Sequence, residues 1–312
     1  MTRQTQNAHK PYFRWLLLGA AVVAGYVIIP QLKNFHTSFD TMRQSHLGWV
    51  GVALVAALAT YLCAAGLYML LATKRLRFWR TLTVQFAGNF SNRLLPAGIG
   101  ALGVGFDFLR RQGHSKTTAI SVLATNNVLG YVGHALLFAL LVVLTRPELK
   151  PVHLTHASLR VILVVGLLTM IVIVALLRTY GQRLTRAGKE LTKLLRTYRQ
   201  QPSRIIGALL CSMALTACYV LCLYACTQGI DLGLSFVTIF IVMTLGVLGG
   251  TVTPTPGGLG GAEAGIVAGL TLYGTTANEA LAVALLYRLF TFWLPLVFGS
   301  VAFVIAGKRH YI

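Results

Sequence analysis

Pro256-Gly257-Gly258-Leu259-Gly260-Gly261-Ala262-Glu263 lies inside strongly apolar sequence and has an earlier counterpart, Pro96-Ala97-Gly98-Ile99-Gly100-Ala101, in the other half of the chain. Proline lacks the N–H that a helix interior needs and its ring clashes with the preceding turn, and each glycine costs about 1 kcal/mol against alanine in a helix. Neither string can continue a helix. Matching breaks within apolar segments of the two halves of a chain point to an inverted-repeat transporter, whose site is built from broken helices.

The surrounding composition sets the class. Of 312 residues, 56% are hydrophobic and 11% charged, which requires several apolar stretches of about 20 residues and excludes a soluble domain. A net charge of +20 would suit nucleic acid, but lysine and arginine fall between the apolar runs rather than gathering on a polar surface. No nucleic-acid partner is expected. Residues 15 to 29 lack a small-x-small cleavage site and more apolar runs follow, so they read as a first anchor and not a secretory signal. The five cysteines give no disulfide framework. Cys211, Cys218, Cys222 and Cys226 share one apolar run, the last three at i, i+4, i+8 on one helix face. A soft-metal site is the sharper alternative; packing against a neighbouring helix is preferred because no second group of ligands accompanies them. No metal and no cofactor are expected.

Full crossings are expected at 15 to 32, 48 to 72, 117 to 144, 158 to 177, 205 to 227 and 279 to 306. The stretch 81 to 108 is bracketed by Lys74, Arg75, Arg77 and Arg80 before it and by Arg110, Arg111 and Lys116 after it. Two crossings of a core about 30 Å thick need about 40 residues, and one crossing would put a basic cluster on the wrong side. A re-entrant helical hairpin with its tip at Pro96 meets both constraints. The second break lies in 232 to 273, whose flanks carry no lysine or arginine. Its legs, 235 to 250 and 262 to 273, are again short, and two tilted crossings stay open as the alternative.

With the amino terminus in the cytoplasm, twenty lysines and arginines fall inside and five outside, while Arg93 and Arg288 lie within apolar segments. The expected fold is an all-α integral membrane protein of the cell membrane, both termini cytoplasmic. It has six full transmembrane helices plus two opposed re-entrant helical hairpins. The single polytopic domain, 1 to 312, is an inverted-topology repeat, with a first unit at 48 to 144 and a second at 205 to 306. The basic loop 178 to 204 carries Leu184, Ala187, Leu191, Leu194 and Tyr198 at helical spacing among arginines and lysines. It reads either as an amphipathic helix on the anionic leaflet or as charge that holds the loop inside.

The string Thr253-Pro254-Thr255-Pro256-Gly257-Gly258-Leu259-Gly260-Gly261-Ala262-Glu263, followed by Leu286-Tyr287-Arg288-Leu289 and Leu294-Pro295, resembles the transmembrane, flippase-like domain of the lysylphosphatidylglycerol synthase family. So does Asn92-Arg93-Leu94-Leu95-Pro96-Ala97-Gly98-Ile99-Gly100 with the later Leu109-Arg110-Arg111-Gln112-Gly113. The similarity runs from about residue 15 to 307. It implies a domain that moves an amphipathic lipid between leaflets: an anionic or aminoacylated phospholipid, or a polyprenyl-linked lipid. Aminoacyl transfer in the synthases belongs to a separate soluble domain, so the resemblance does not imply it. Many relatives carry an acid soon after the first glycine pair; here Ala101-Leu102-Gly103 follows and Asp107 comes late.

The candidate substrate-binding residues are Asn92, Arg93, Pro96, Gly98 and Gly100 in the first copy. In the second they are Pro256, Gly257, Gly258, Gly260, Glu263 and Arg288. Glu263 is an ionisable group at depth, where charge is costly and marks function; a carboxylate in a first helical turn is also favoured by the dipole. Arg288 is the partner for Glu263 or for a lipid phosphate. Arg93 suits a phosphate, with snorkelling or carbonyl bonds inside its own hairpin as alternatives. Backbone N–H groups at 257 to 261 suit a phosphate at a helix start. Asp107 reads as a surface neighbour of Arg110 and Arg111. Asn126, Asn127 and His134 are polar within apolar segments, which interhelical hydrogen bonds explain as well as a cavity does. Trp15, Trp49 and Trp79 fall at expected interfaces.

The function expected is a transporter or flippase for a phospholipid or lipid-linked headgroup, not an enzyme. A non-transporting membrane partner in envelope or lipid biogenesis is the first alternative. An intramembrane lipid-modifying enzyme comes second, disfavoured because no carboxylate pair or nucleophile with a base lies at depth. Membrane lipids are the expected partners, and a homo-oligomer stays open.

Overall fold

A computed structural model describes residues 46–95, 99–145, 202–253 and 255–312. Every regular element among them is helical: α1 (Leu47–Leu71), α2 (Phe78–Leu94), α3 (Ile99–Arg111), α4 (Lys116–Thr145), α5 (Pro202–Gln228), α6 (Phe236–Val252), α7 (Gly261–Leu272), α8 (Ala277–Arg288) and α9 (Leu294–Lys308). A single 3₁₀ turn, Pro256–Gly258, joins α6 to α7, and one π turn, Leu289–Trp293, makes α8 and α9 one broken rod.

Four stretches are long and apolar enough to cross a membrane: Leu47–Leu71, Lys116–Thr145, Pro202–Gln228 and Ala277–Lys308. They coincide with four of the six expected crossings. The other two, 15 to 32 and 158 to 177, lie outside the described residues, as does most of the basic loop. The protein is a multi-pass membrane protein.

Two antiparallel helical hairpins separate these rods. In α2–α3 the legs touch where Gly100 abuts the backbone of Ser91 and Asn92, and where Gly88 faces Ala101 and Val104. In α6–α7, Gly249 and Gly265 let one leg lie directly on the other's backbone, and Gly246 faces Ile266. Gly265 is held against the Leu245 carbonyl, leaving no room for a Cβ. Small residues replace a hydrophobic driving force that lipid cannot supply.

Helix α1 packs antiparallel on α5: Gly66 meets Cys211 at one end, and Trp49 meets Tyr224 edge-on at 6.0 Å towards the other, where the His46 N–H donates to the Gly229 carbonyl. Lys74 Nζ donates to the Gly113 carbonyl, Arg204 Nη2 to the Ala72 carbonyl, and the Arg80 guanidinium lies over the Tyr311 ring. Both ends of the α2–α3 hairpin therefore lie at one basic end of the bundle. Both ends of α6–α7 lie at the opposite end, near the His46–Asp231 pair.

Buried residues form two cores, one around each hairpin. The first gathers Ala53 and Ala57 of α1, Leu223 of α5, Phe240 of α6, Ile266 of α7 and Val283 of α8. The second gathers Leu71, Phe108, Leu109, Val122 and Ala208 from α1, α3, α4 and α5. Cys222 and Cys226 are buried in the first of these, as packing residues. His134 Nε2 and Thr244 Oγ1 lie 3.0 Å apart and tie α4 to α6, the interhelical alternative for that histidine. Asn127 is exposed and Asp107 pairs with Arg111 at the surface, 3.2 Å apart. Trp79 is exposed at the basic end.

Candidate functional site

The hairpin tips converge on one cavity of about 670 Å³. Asn89, Asn92, Arg93 and Leu95 come to it from the end of α2; Gly250, Thr253, Thr255, Gly257 and Gly258 come from the end of α6 and the 3₁₀ turn. Tyr287, Arg288 and Thr291 close it from the broken rod, and Tyr219 from α5. By helical rise Arg93 lies about 22 Å along α2 from the basic end and Arg288 about 17 Å along α8 from the other.

Arg288 is buried, 7% exposed, and makes two hydrogen bonds. Its Nε donates to Glu263 Oε1 at 2.7 Å and its Nη2 to the Gly257 carbonyl at 3.1 Å. Glu263, 4% exposed, turns its other oxygen to the Gly260 N–H at 2.8 Å. Both sequence readings of this carboxylate are realised together: one oxygen satisfies an orphan donor at the start of α7, and the other holds the arginine. Glu263 stands behind Arg288 and is not part of the cavity wall.

Arg93 reaches across the molecule to donate from Nη2 to the Thr291 carbonyl. That acceptor exists because of Pro295, which has no N–H to return to a carbonyl one turn back. The π turn at the same place widens the rod, as such turns often do at functional sites. The carbonyl Arg93 finds thus belongs to the last rod and not to its own hairpin. Both guanidinium groups lie 4.8 Å from the centroid of the buried Phe292 ring. Two cations share one aromatic ring, and among the described residues only one carboxylate, Glu263, is paired with either.

Three buried polar atoms have no hydrogen-bond partner among the described residues: Asn92 Oδ1, Arg93 Nε and Thr125 Oγ1. Two of the three belong to residues of this cavity wall. An unsatisfied buried group costs about 1–3 kcal/mol, more when charged, so such atoms are retained where something else satisfies them.

The glycines act through backbone geometry. Gly257 and Gly258 have φ of 60° and 66°, in the left-handed region, and a Cβ on Gly257 would run into Phe292. The Gly258 N–H donates to the Thr255 carbonyl and the Leu259 N–H to the Pro256 carbonyl, so these donors serve the turn itself. Gly257 and Gly258 line the cavity; Pro256 and Gly260 do not. Gly100 is buried in the contact between the first hairpin's legs, and Pro96 and Gly98 lie outside the described residues.

A second cavity of about 260 Å³ adjoins the first, sharing Asn89, Asn92 and Tyr219 with it. Its wall includes Thr60, Tyr61, Gln85 and Asn126, and no charged side chain. Sequence reasoning singled out Asn92, weighed a cavity role for Asn126 without choosing it, and left Asn89, Tyr219 and Thr291 aside. Asn89 lies one turn before Arg93 on the same face of α2, a signal that was legible; Tyr219 gave none.

The family model for the lysylphosphatidylglycerol synthase transmembrane region matches residues 16–299, and the chain belongs to that family. It is a membrane domain of a kind linked to phospholipid handling. No curated protein matches the chain.

Proposed function

From that membership and the geometry of the cavity, we propose that the protein carries a phospholipid or lipid-linked headgroup between leaflets, binding its phosphate where the two hairpin tips meet. The observation that carries this reading is the pair Arg93 and Arg288 on one buried cavity, of which only Arg288 is paired with a carboxylate among the described residues. A charge buried without its counterion is costly, so an uncompensated guanidinium at depth calls for an anion. A phosphodiester supplies one, with oxygens that match the guanidinium fork.

The hairpins in this reading are re-entrant. Their legs of 17 and 13 residues, and of 17 and 12, extend about 26 and 20 Å and about 26 and 18 Å, each short of a core about 30 Å thick. One enters from the basic, cytoplasmic end and the other from the opposite face, so the headgroup is handed between tips while the acyl chains stay in lipid. The protein does this without covalent chemistry and is not an enzyme.

The test is a proteoliposome assay with acyl-labelled phospholipids, reading the fraction of label accessible on each face over time. Wild-type protein is expected to speed exchange, and Arg288→Ala and Arg93→Ala to abolish it. If purified protein moves none of the lipids, the transport reading falls.

A further inference from the structure

We infer that the headgroup this site accepts is anionic and carries an uncharged, hydroxyl-bearing substituent, and that a cationic, aminoacylated headgroup is rejected. The inference deepens the proposed function, since it names the substrate class for the same cavity.

It begins with a count of carboxylates. The chain has seven acids, of which Asp107, Asp231, Glu263 and Glu279 are among the described residues. Asp107 pairs with Arg111, Asp231 with His46, and Glu279 caps α8 through Thr276, all at the surface. Glu263 has both oxygens engaged, on Arg288 and on the Gly260 N–H. No described carboxylate is free to meet an ammonium group, whereas Arg93 and Arg288 both face the cavity. An aminoacyl substituent would bring its own positive charge beside these two in a site of low dielectric, where like charges repel strongly.

The neighbouring cavity supplies the complementary half of the argument. It opens beside the arginines through Asn89, Asn92 and Tyr219, and its wall offers amide and hydroxyl groups from Thr60, Gln85 and Asn126. Those groups match a polyol or a sugar, donor for acceptor, and bring no negative charge to offset an ammonium group. Asn92 belongs to both walls, and its side-chain oxygen lacks a hydrogen-bond partner among the described residues, as does Arg93 Nε. The two orphans are of opposite kind: one seeks a donor such as a hydroxyl, the other an anionic oxygen.

The experiment measures binding and movement separately on the full-length protein. Native mass spectrometry ranks phosphatidylglycerol, phosphatidylinositol, phosphatidic acid and lysylphosphatidylglycerol, and the proteoliposome assay ranks acyl-labelled forms of the same four. Phosphatidylglycerol and phosphatidylinositol are expected to bind at least about tenfold more tightly than lysylphosphatidylglycerol. The double variant Gln85→Leu/Asn126→Leu is expected to weaken phosphatidylglycerol binding about tenfold while leaving phosphatidic acid, which lacks the substituent, unchanged. Retained phosphatidic acid binding also reports that the variant is folded. Should lysylphosphatidylglycerol bind as tightly as phosphatidylglycerol, or the double variant leave phosphatidylglycerol unaffected or weaken both lipids equally, the inference is overturned. Selective binding without movement would uphold it and overturn transport instead.

Discussion

At the residue scale the decisive group is Glu263, because its two oxygens do separate jobs that both need the charge. Replacing it by glutamine keeps one acceptor oxygen but removes the charge and sets an NH2 against either Arg288 Nε or the Gly260 N–H, and breaking one side of a buried pair costs about 3–5 kcal/mol. Glu263→Gln is expected to lower the melting temperature in detergent sharply. The double variant Glu263→Gln/Arg288→Met, which removes the stranded charge, should recover most of the loss and still bind no phospholipid; recovery of binding would show that Arg288 is structural only. His114 makes a second prediction, outside the membrane-spanning segments. Its ring, 2% exposed, accepts the Lys74 N–H at Nε2 (3.2 Å) and faces the Leu109 carbonyl at Nδ1 (3.1 Å), an arrangement that suits the neutral tautomer. Burial, with Lys74 nearby, pushes its pKa below the usual value near 6.5. The unfolded chain therefore takes up a proton at this site that the folded protein refuses, and stability falls as pH drops below about 6.5. Melting curves from pH 8 to 5 should show that decline, and His114→Gln should flatten it.

At the scale of elements, the broken rod α8–π–α9 links the two tips. Arg288 ends its first part, the π turn displaces Phe292 and Thr291, and Pro295 leaves a carbonyl without its usual donor for Arg93 to find. Pro295→Ala restores an N–H one turn beyond Thr291 and removes a residue that helices tolerate poorly. The variant is expected to melt at the same or a higher temperature and to move lipid more slowly, because Arg93 loses its anchor. Unchanged transport would mean that this anchor does not position the site. The hairpins themselves were readable as breaks, since proline and clustered glycine have no other outcome in apolar sequence. Their antiparallel pairing was inferred from charge on their flanks, and the glycine faces that let α6 lie on α7 follow from the same composition.

For the whole molecule, the basic end is the feature that orients everything else. All the described lysines and arginines other than Arg93 and Arg288 fall at or beside that end, from Lys74 to Arg309. With the basic end cytoplasmic, single cysteines placed at 232 to 234 and at 274 to 276 in a cysteine-free background should both label from outside the cell. Labelling from opposite faces would replace the second hairpin with two crossings. Four of the crossings were legible to within a few residues, because length and apolarity alone decide whether a helix can span. Glu263 and Arg288 were legible as a pair for the same reason: ionisable groups at depth are few and need partners.

The sequence by itself determined the class, four of the crossings and the two breaks, since hydrophobic length, proline and glycine act locally and charge acts on whole loops. Only the tertiary structure decided that Arg93 and Arg288 share Phe292, that Arg93 ends on a carbonyl 198 residues away, and that an uncharged polar cavity adjoins them. Those contacts join residues from both halves of the chain. They arise from how the two hairpins and the broken rod meet, which no local pattern encodes.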